Sequence, residues 1–277
     1  MTYATVMVSL ALDQANKARL EVAGQVAERF DAAIIGVAAA QFSPPLYFTT
    51  GRQAQALIDE GEASVRKRLS ELEAQFREAT KHRAKSVEWR CALDLPGRYA
   101  LQQARCADII VSGGDTGPLS DPFAQVGPKD LVMQAGRPLL IVPDNADWLD
   151  TRRILVAWKD TTEARRAIVG ALPMLRKAKD VAIAEIVEWD GDRLDAVSRV
   201  RDVVSWLSRH GVSASELVPE RDEERNPAVQ LDAIAANVGA GVVVAGAYGH
   251  SRFRELILGG MTEHLISQPA RCALLSH

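Results

Sequence analysis

Gly246, Gly249 and Gly259 are spaced by two and then nine intervening residues, and Gly260 follows at once. They stand behind the apolar run Gly241-Val242-Val243-Val244-Ala245 and lead into a segment of helical pattern that ends near Gln268. Glycine admits positive φ and leaves room for a ligand beside the main chain. The last glycine opens the final helix, whose first amides have no acceptor inside it. Those amides and the helix dipole together favour an anion, typically phosphate. In that chemistry Gly259 and Gly260 supply backbone amides and Thr262 adds a hydroxyl. His250 is either a donor to such a ligand or a solvated loop histidine. The plain alternative for the glycines is that they make tight turns and cap a helix.

The same spacing is found in the first half of the chain at Gly114, Gly117 and Gly127, behind the buried run 108–112. There Pro128 follows. It removes an amide donor, although proline suits the first turn of a helix. Asp115 and Asp121 bring negative charge into that loop, so this half reads as a degenerate copy and its residues as poor nucleotide contacts.

The elements around these loops also recur. In the first half, apolar or alternating runs at 5–12, 32–37, 87–91, 108–112 and 139–142 read as strands. Helical patterns at about 14–30, 53–81 and 97–105, and a short one before 139, separate them. Leu20, Ala23, Val26 and Ala27 mark the buried face of the first helix, and Val65, Leu69, Leu72 and Phe76 that of the second. In the second half, strands at 154–158, 181–187, 212–217, 241–245 and 273–275 alternate with helices at 162–177, 194–210, 227–238 and one ending near 268. Continuous apolar strands alternating with helices predict parallel sheet covered on both faces. The expected fold is therefore α/β: two tandem five-stranded, doubly wound, Rossmann-like domains at 1–145 and 151–277, joined by the polar connector 144–150. Ligands of such sheets bind outside the carboxyl ends of the strands, where strand order reverses.

Bulk properties narrow the function classes. The chain has 277 residues and a formal net charge of −3, with no basic field for nucleic acid or an acidic membrane. No 20-residue apolar span is present, and the N-terminal apolar stretch has no basic flank, so it reads as a strand and the expected compartment is the cytoplasm. Cys91, Cys106 and Cys272 form no CxxC pair and fit reduced, buried thiols. No Cys/His cluster has metal-ligand spacing, so no metal is expected. His82 and His210 fall near helix ends; Glu263 and His264 read as surface or interface groups. Ser251 next to His250 is not a triad without a third group, and Arg252 and Arg254 read as a solvated helix start. The aromatic, proline-bearing segment 41–48 reads as an ordered loop or a pocket cover.

On the glycine spacing and the repeated element order, nearly the whole chain resembles a tandem universal stress protein, of the universal stress protein A superfamily, whose fold is adenine nucleotide alpha hydrolase-like. In that family Gly-x2-Gly-x9-Gly-(Ser/Thr) marks members that bind ATP. Gly246, Gly249 and Gly259 match; Gly260 stands where the family has Ser or Thr, with Thr262 two residues on. The Asp usual at the end of the first strand is replaced by Lys159, with Asp160 next to it. Lys159 either offers charge to a phosphate or is a solvated loop lysine, and the second reading is favoured. The resemblance implies ribose and phosphates against Gly246, Gly249, His250, Gly259, Gly260, Met261 and Thr262, and adenine near Ala157, Trp158, Lys159, Asp160 and Val187. It implies an adenine nucleotide (ATP, ADP or AMP, with Mg) as the ligand. It also implies pairing of the last strands, here 139–142 against 273–275 within one chain, with a homodimer as a further option. Three functions stay open: a stress-response protein that binds an adenine nucleotide in its second half without efficient catalysis; an interaction or dimerisation scaffold that binds none; and a very slow ATPase, for which the sequence offers no Walker loop or positioned general base.

Overall fold

The computed structural model describes residues 2–12, 14–43, 51–115, 121–187, 192–220, 226–248, 260–267 and 270–277. Of the expected site, Gly249, His250 and Gly259 lie outside the described residues, as do Asp13, Gly117, Ser251, Arg252, Arg254 and most of the 41–48 segment.

The first half supplies β1 (Thr5–Ser9), α1 (Lys17–Phe30), β2 (Ala33–Ala39), α2 (Gly51–Thr80), β3 (Val87–Ala92), α3 (Pro96–Gln103), β4 (Ile109–Gly113), α4 (Pro128–Gln134) and β5 (Leu139–Val142). The second half supplies β6 (Arg153–Ala157), α5 (Thr162–Leu175), β7 (Asp180–Ala184), α6 (Arg193–Arg209), β8 (Ala214–Leu217), α7 (Pro227–Asn237), β9 (Val242–Gly246), α8 (Gly260–Ser267) and β10 (Cys272–Ser276). All ten strands form one sheet in the order β3-β2-β1-β4-β5-β10-β9-β6-β7-β8. Every neighbouring pair is parallel except β5 with β10, where the halves meet antiparallel through Ile141↔Ala273, Leu140↔Leu274 and Leu139↔Leu275. The pairing of the last strands is thus satisfied inside the chain.

Two apolar layers cover the sheet. On one face α1, α2, α5 and α6 bury Val6, Val8, Phe76, Ile154, Val156 and their neighbours. On the other face Met7, Ile110, Leu139, Leu155 and Leu275 pack with Leu131, Leu231 and Leu265. Central strands are therefore apolar on both sides, as parallel sheet requires. The outer strands β3 and β8 are only half-buried. β3 carries the outward pair Glu88–Arg90 at 2.7 Å, charges that blunt a sheet edge. No helix among the described residues is long and apolar enough to cross a membrane.

Two expectations are corrected. Cys91 and Cys106 are exposed and only Cys272 is buried. Cys91 lies on the outer strand β3 and Cys106 in the 3-10 turn after α3, so neither is covered by a second layer. The strand expected over 181–187 ends at Ala184, although the Glu185 amide still reaches the Leu217 carbonyl at 3.2 Å.

Candidate functional site

In each half, the strand entering the sheet first is flanked by the second and fourth. β1 lies between β2 and β4, and β6 between β7 and β9. Strand order reverses there, so the crevice available to a ligand opens at the carboxyl ends of β1 and β4 in one half and of β6 and β9 in the other.

In the second half, β9 ends at Gly246 and β6 at Ala157, and these ends lie on paired strands with Ala157 opposite Ala245. The first turn of α5 presses onto Gly246. A Cβ there would stand 2.5 Å from the Ala164 amide nitrogen and 2.8 Å from the Glu163 carbonyl carbon. Gly246 is thus required by helix-on-strand packing, whatever a ligand needs. Beyond it, Ala247 is tied to β10, its amide donating to the Ser276 carbonyl at 2.8 Å. Tyr248 turns the chain with φ of 57°, a left-handed value uncommon for a bulky residue. Its amide donates to Thr262 Oγ1 at 3.4 Å, which ties the end of β9 to the first turn of α8. Thr262 is buried and Met261 partly so, and among the described residues the nearest neighbour of a Cβ at Gly260 would be the Asn226 side chain at 3.8 Å. Among the described residues, the amides of Gly260, Met261 and Thr262 meet no acceptor.

The residues expected near adenine divide. Ala157 is half-buried and Val187 buried at the carboxyl edge. Trp158 turns its ring into the core beside α5, and its Nε1 is buried without a partner among the described residues. Lys159 is exposed, and Asp160, also exposed, binds Arg165 at 2.5 Å. Thr161 caps α5, its Oγ1 accepting from the Ala164 amide at 3.3 Å. Next to this edge is a buried charge that the sequence did not flag. Glu185 Oε1 accepts from Arg199 Nε and Nη2 at 3.0 and 2.6 Å, and Asp192 takes the same guanidinium at 2.8 Å. His264 on α8 pairs with Asp232 on α7 at 2.6 Å and so fastens two helices, as an interface histidine would.

In the first half, strand register changes the comparison of the two loops. Val6 pairs with Ile109, and Ile154 with Val242, so Gly113 and not Gly114 stands where Gly246 stands. Gly127 caps α4, and the first-half loop is accordingly one residue longer than its counterpart. Pro128 occupies the first helical turn of α4, as its fixed φ favours. Asp121 closes a turn onto the Phe123 amide at 2.9 Å. Asp115 is held by Lys129 at 3.2 Å and donates its amide to the Ile266 carbonyl of α8 at 2.9 Å. Lys129 also reaches Glu263 at 2.9 Å, so the first-half loop and α8 are stitched together across the junction. The group facing Gly113 is the guanidinium of Arg19, a residue the sequence reading passed over. Its signal was there to read: Arg19 lies in phase with Ala23, Val26 and Phe30, on the buried stripe of α1.

Among solved structures, a universal stress protein from Archaeoglobus fulgidus DSM 4304 superposes with a TM-score of 0.67 over 98% of this chain and 95% of its own, at 16% identity. This is the universal stress protein fold. A functionally unknown protein from Pseudomonas aeruginosa PAO1 shares it with a TM-score of 0.54, over 99% of this chain and 92% of that one, also at 16% identity. No family model and no curated protein sequence matches the chain.

Proposed function

We propose that the chain is a stress-response protein that binds an adenine nucleotide (ATP, ADP or AMP) in its second half and does not turn it over efficiently. The observation that carries this reading is the start of α8. It is tied to the carboxyl end of β9 through the Tyr248 amide and Thr262 Oγ1, and among the described residues a Cβ at Gly260 would meet only the Asn226 side chain and the first amides of the helix meet no acceptor. An eight-residue helix whose leading amides have no acceptor among the described residues is suited to a phosphate group. The spacing of Gly246, Gly249 and Gly259 is the pattern tied to ATP in the family the sequence resembles. Lys159 adds an exposed cation at the end of β6, and Ala157 and Val187 offer apolar surface to a base. Among the described residues no group of three carboxylates, histidines or cysteines could hold a metal, so Mg²⁺ would arrive on the phosphates, largely hydrated.

Calorimetric titration with ATP, ADP and AMP at fixed Mg²⁺, with mass spectrometry of small molecules carried by the purified protein, tests the proposal. Gly260→Pro removes one amide donor at a helix position where proline is tolerated, as Pro128 is in the first half. Loss of one hydrogen bond to a charged group should weaken binding about tenfold. If the folded protein binds none of the three nucleotides and carries none, the reading fails, and an internally paired scaffold is what the β5–β10 junction supports.

A further inference from the structure

The described residues form a crevice in the first half, at the carboxyl ends of β1 and β4, lined among others by Ser9, Arg19, Ser112, Gly113, Asp115 and Gly127. Arg19 is only 4% exposed. Nη1 donates to Asn16 Oδ1 at 3.4 Å and Nη2 to Gln14 Oε1. Nε is buried and has no partner among the described residues. Burial pulls the guanidinium below its ordinary pKa, opposed by the charge of Asp144, yet an arginine stays protonated at neutral pH. Its direct partners among the described residues are neutral amides. Asp115, the carboxylate lining the crevice, is engaged by Lys129. A buried cation without a bonded counter-ion is unfavourable unless an anion joins it. Gly113 makes room for this: a Cβ there would run into the guanidinium.

We propose that this crevice binds a small oxyanion, of the phosphate, sulfate or carboxylate type, through Arg19 Nε, with the buried hydroxyls of Ser9 and Ser112 as further donors. The crevice measures about 320 Å³ including its open mouth. Pro128 removes the amide that would lead α4, a donor that a nucleotide phosphate would use. This site is separate from the nucleotide site proposed in the second half and stands or falls without it.

The test is a titration of the full chain with inorganic phosphate, sulfate and acetate at matched ionic strength, with chloride as the control and AMP as the competitor. It is followed by calorimetry and by the Nε–Hε resonance of Arg19. The expected result is saturable binding of at least one of the three oxyanions, with the Arg19 signal moving in step. Affinity should fall at least tenfold in Arg19→Gln. If Arg19→Gln does not fold, Ser112→Ala should weaken binding several-fold, and the resonance in the unaltered protein still reports the site. The proposal is overturned if the folded protein binds no oxyanion, if the Arg19 signal stays still at saturation, if folded Arg19→Gln binds as well as the parent, or if AMP displaces phosphate from Arg19 at lower concentration than phosphate itself binds.

Discussion

Gly246→Ala should destabilise the protein strongly, and the geometry says by how much. The new Cβ would stand 2.5 Å from the Ala164 nitrogen, 2.8 Å from the Glu163 carbonyl carbon and 2.9 Å from the Ala164 Cα. All three are backbone atoms, so no rotamer change relieves them. Ordinary carbon contacts begin near ~3.5 Å, so the first turn of α5 must retreat by roughly 1 Å or β9 must bend. That turn is seated by Ala164, Ala167, Ile168 and Ala171, all buried against the sheet. Overpacking of a tight core costs about 1–3 kcal/mol, and contact with fixed backbone belongs at the upper end. Replacing glycine also restricts the unfolded chain, which gives back about 0.4–1 kcal/mol. The net expectation is a loss of about 2 kcal/mol, equivalent to a fall in Tm of roughly 4–8 °C. Urea titration followed by circular dichroism, supported by calorimetry, measures it. Gly260→Ala is the control: among the described residues its Cβ would meet only the Asn226 side chain at 3.8 Å, so it should be neutral or stabilising by up to about 0.5–1 kcal/mol. A Gly246→Ala protein within about 0.5 kcal/mol of the parent would refute the close seating of α5 on β9.

Other consequences follow from the same structure. Arg199→Met strips Glu185 of its counter-ion and should cost about 2–4 kcal/mol in urea unfolding, and Arg199→Met with Glu185→Met should recover most of it. No recovery would mean that the pair is incidental. Asp108→Ala unties the Ala4 and Thr5 amides, held at 2.8 and 2.9 Å, and should cost about 1–2 kcal/mol, with faster hydrogen exchange at the start of β1. The thiols should separate by pH: the Arg90 guanidinium beside Cys106 lowers its pKa, whereas burial pushes Cys272 up to about 12. The thiolate of Cys106 should therefore form at lower pH than that of an ordinary cysteine, so its labelling rate at pH 7 exceeds that of a model thiol and drops in Arg90→Leu. Cys272 should stay unlabelled until the protein unfolds, and equal rates at the two sites would contradict this assignment.

Much of the architecture is legible in the residue pattern because the two periodicities are clean. Val6, Val8 and Met7 are buried on opposite faces of one strand, and Val65, Leu69, Leu72 and Phe76 mark one side of a long helix. The internal pairing of 139–142 with 273–275 is implied by the family resemblance and not by the pattern itself; the structure shows it, each apolar strand covering the other's edge. What the pattern hides is register. Gly113 and Gly114 are adjacent, so counting glycines cannot say which of them ends the strand; the pairing of Val6 with Ile109 decides for Gly113. Ring direction is hidden too. Trp158 follows a strand at the ligand edge, yet its alternation with Ile154 and Val156 sends the indole into the core. Exposure of Cys91 and Cys106 depends on which strand lies outermost, a property of strand order and not of local sequence.

The difference between the halves comes down largely to one helix position. Arg19 is the third residue of α1 and Ala164 the third of α5, and each is what the terminal glycine of the neighbouring strand meets. Where that residue is alanine, the helix backbone settles onto Gly246 and the strand-order reversal is closed from the side of α5. Where it is arginine, side-chain atoms fill the same gap before Gly113, and a crevice survives among Ser9, Ser112 and Gly127. The nucleotide site proposed for the second half therefore rests on the start of α8, whereas the first half offers a buried charge and one hydroxyl from each of two strands. The Asp115–Lys129–Glu263 link ties the end of β4 to α4 and α8 across the junction of the halves.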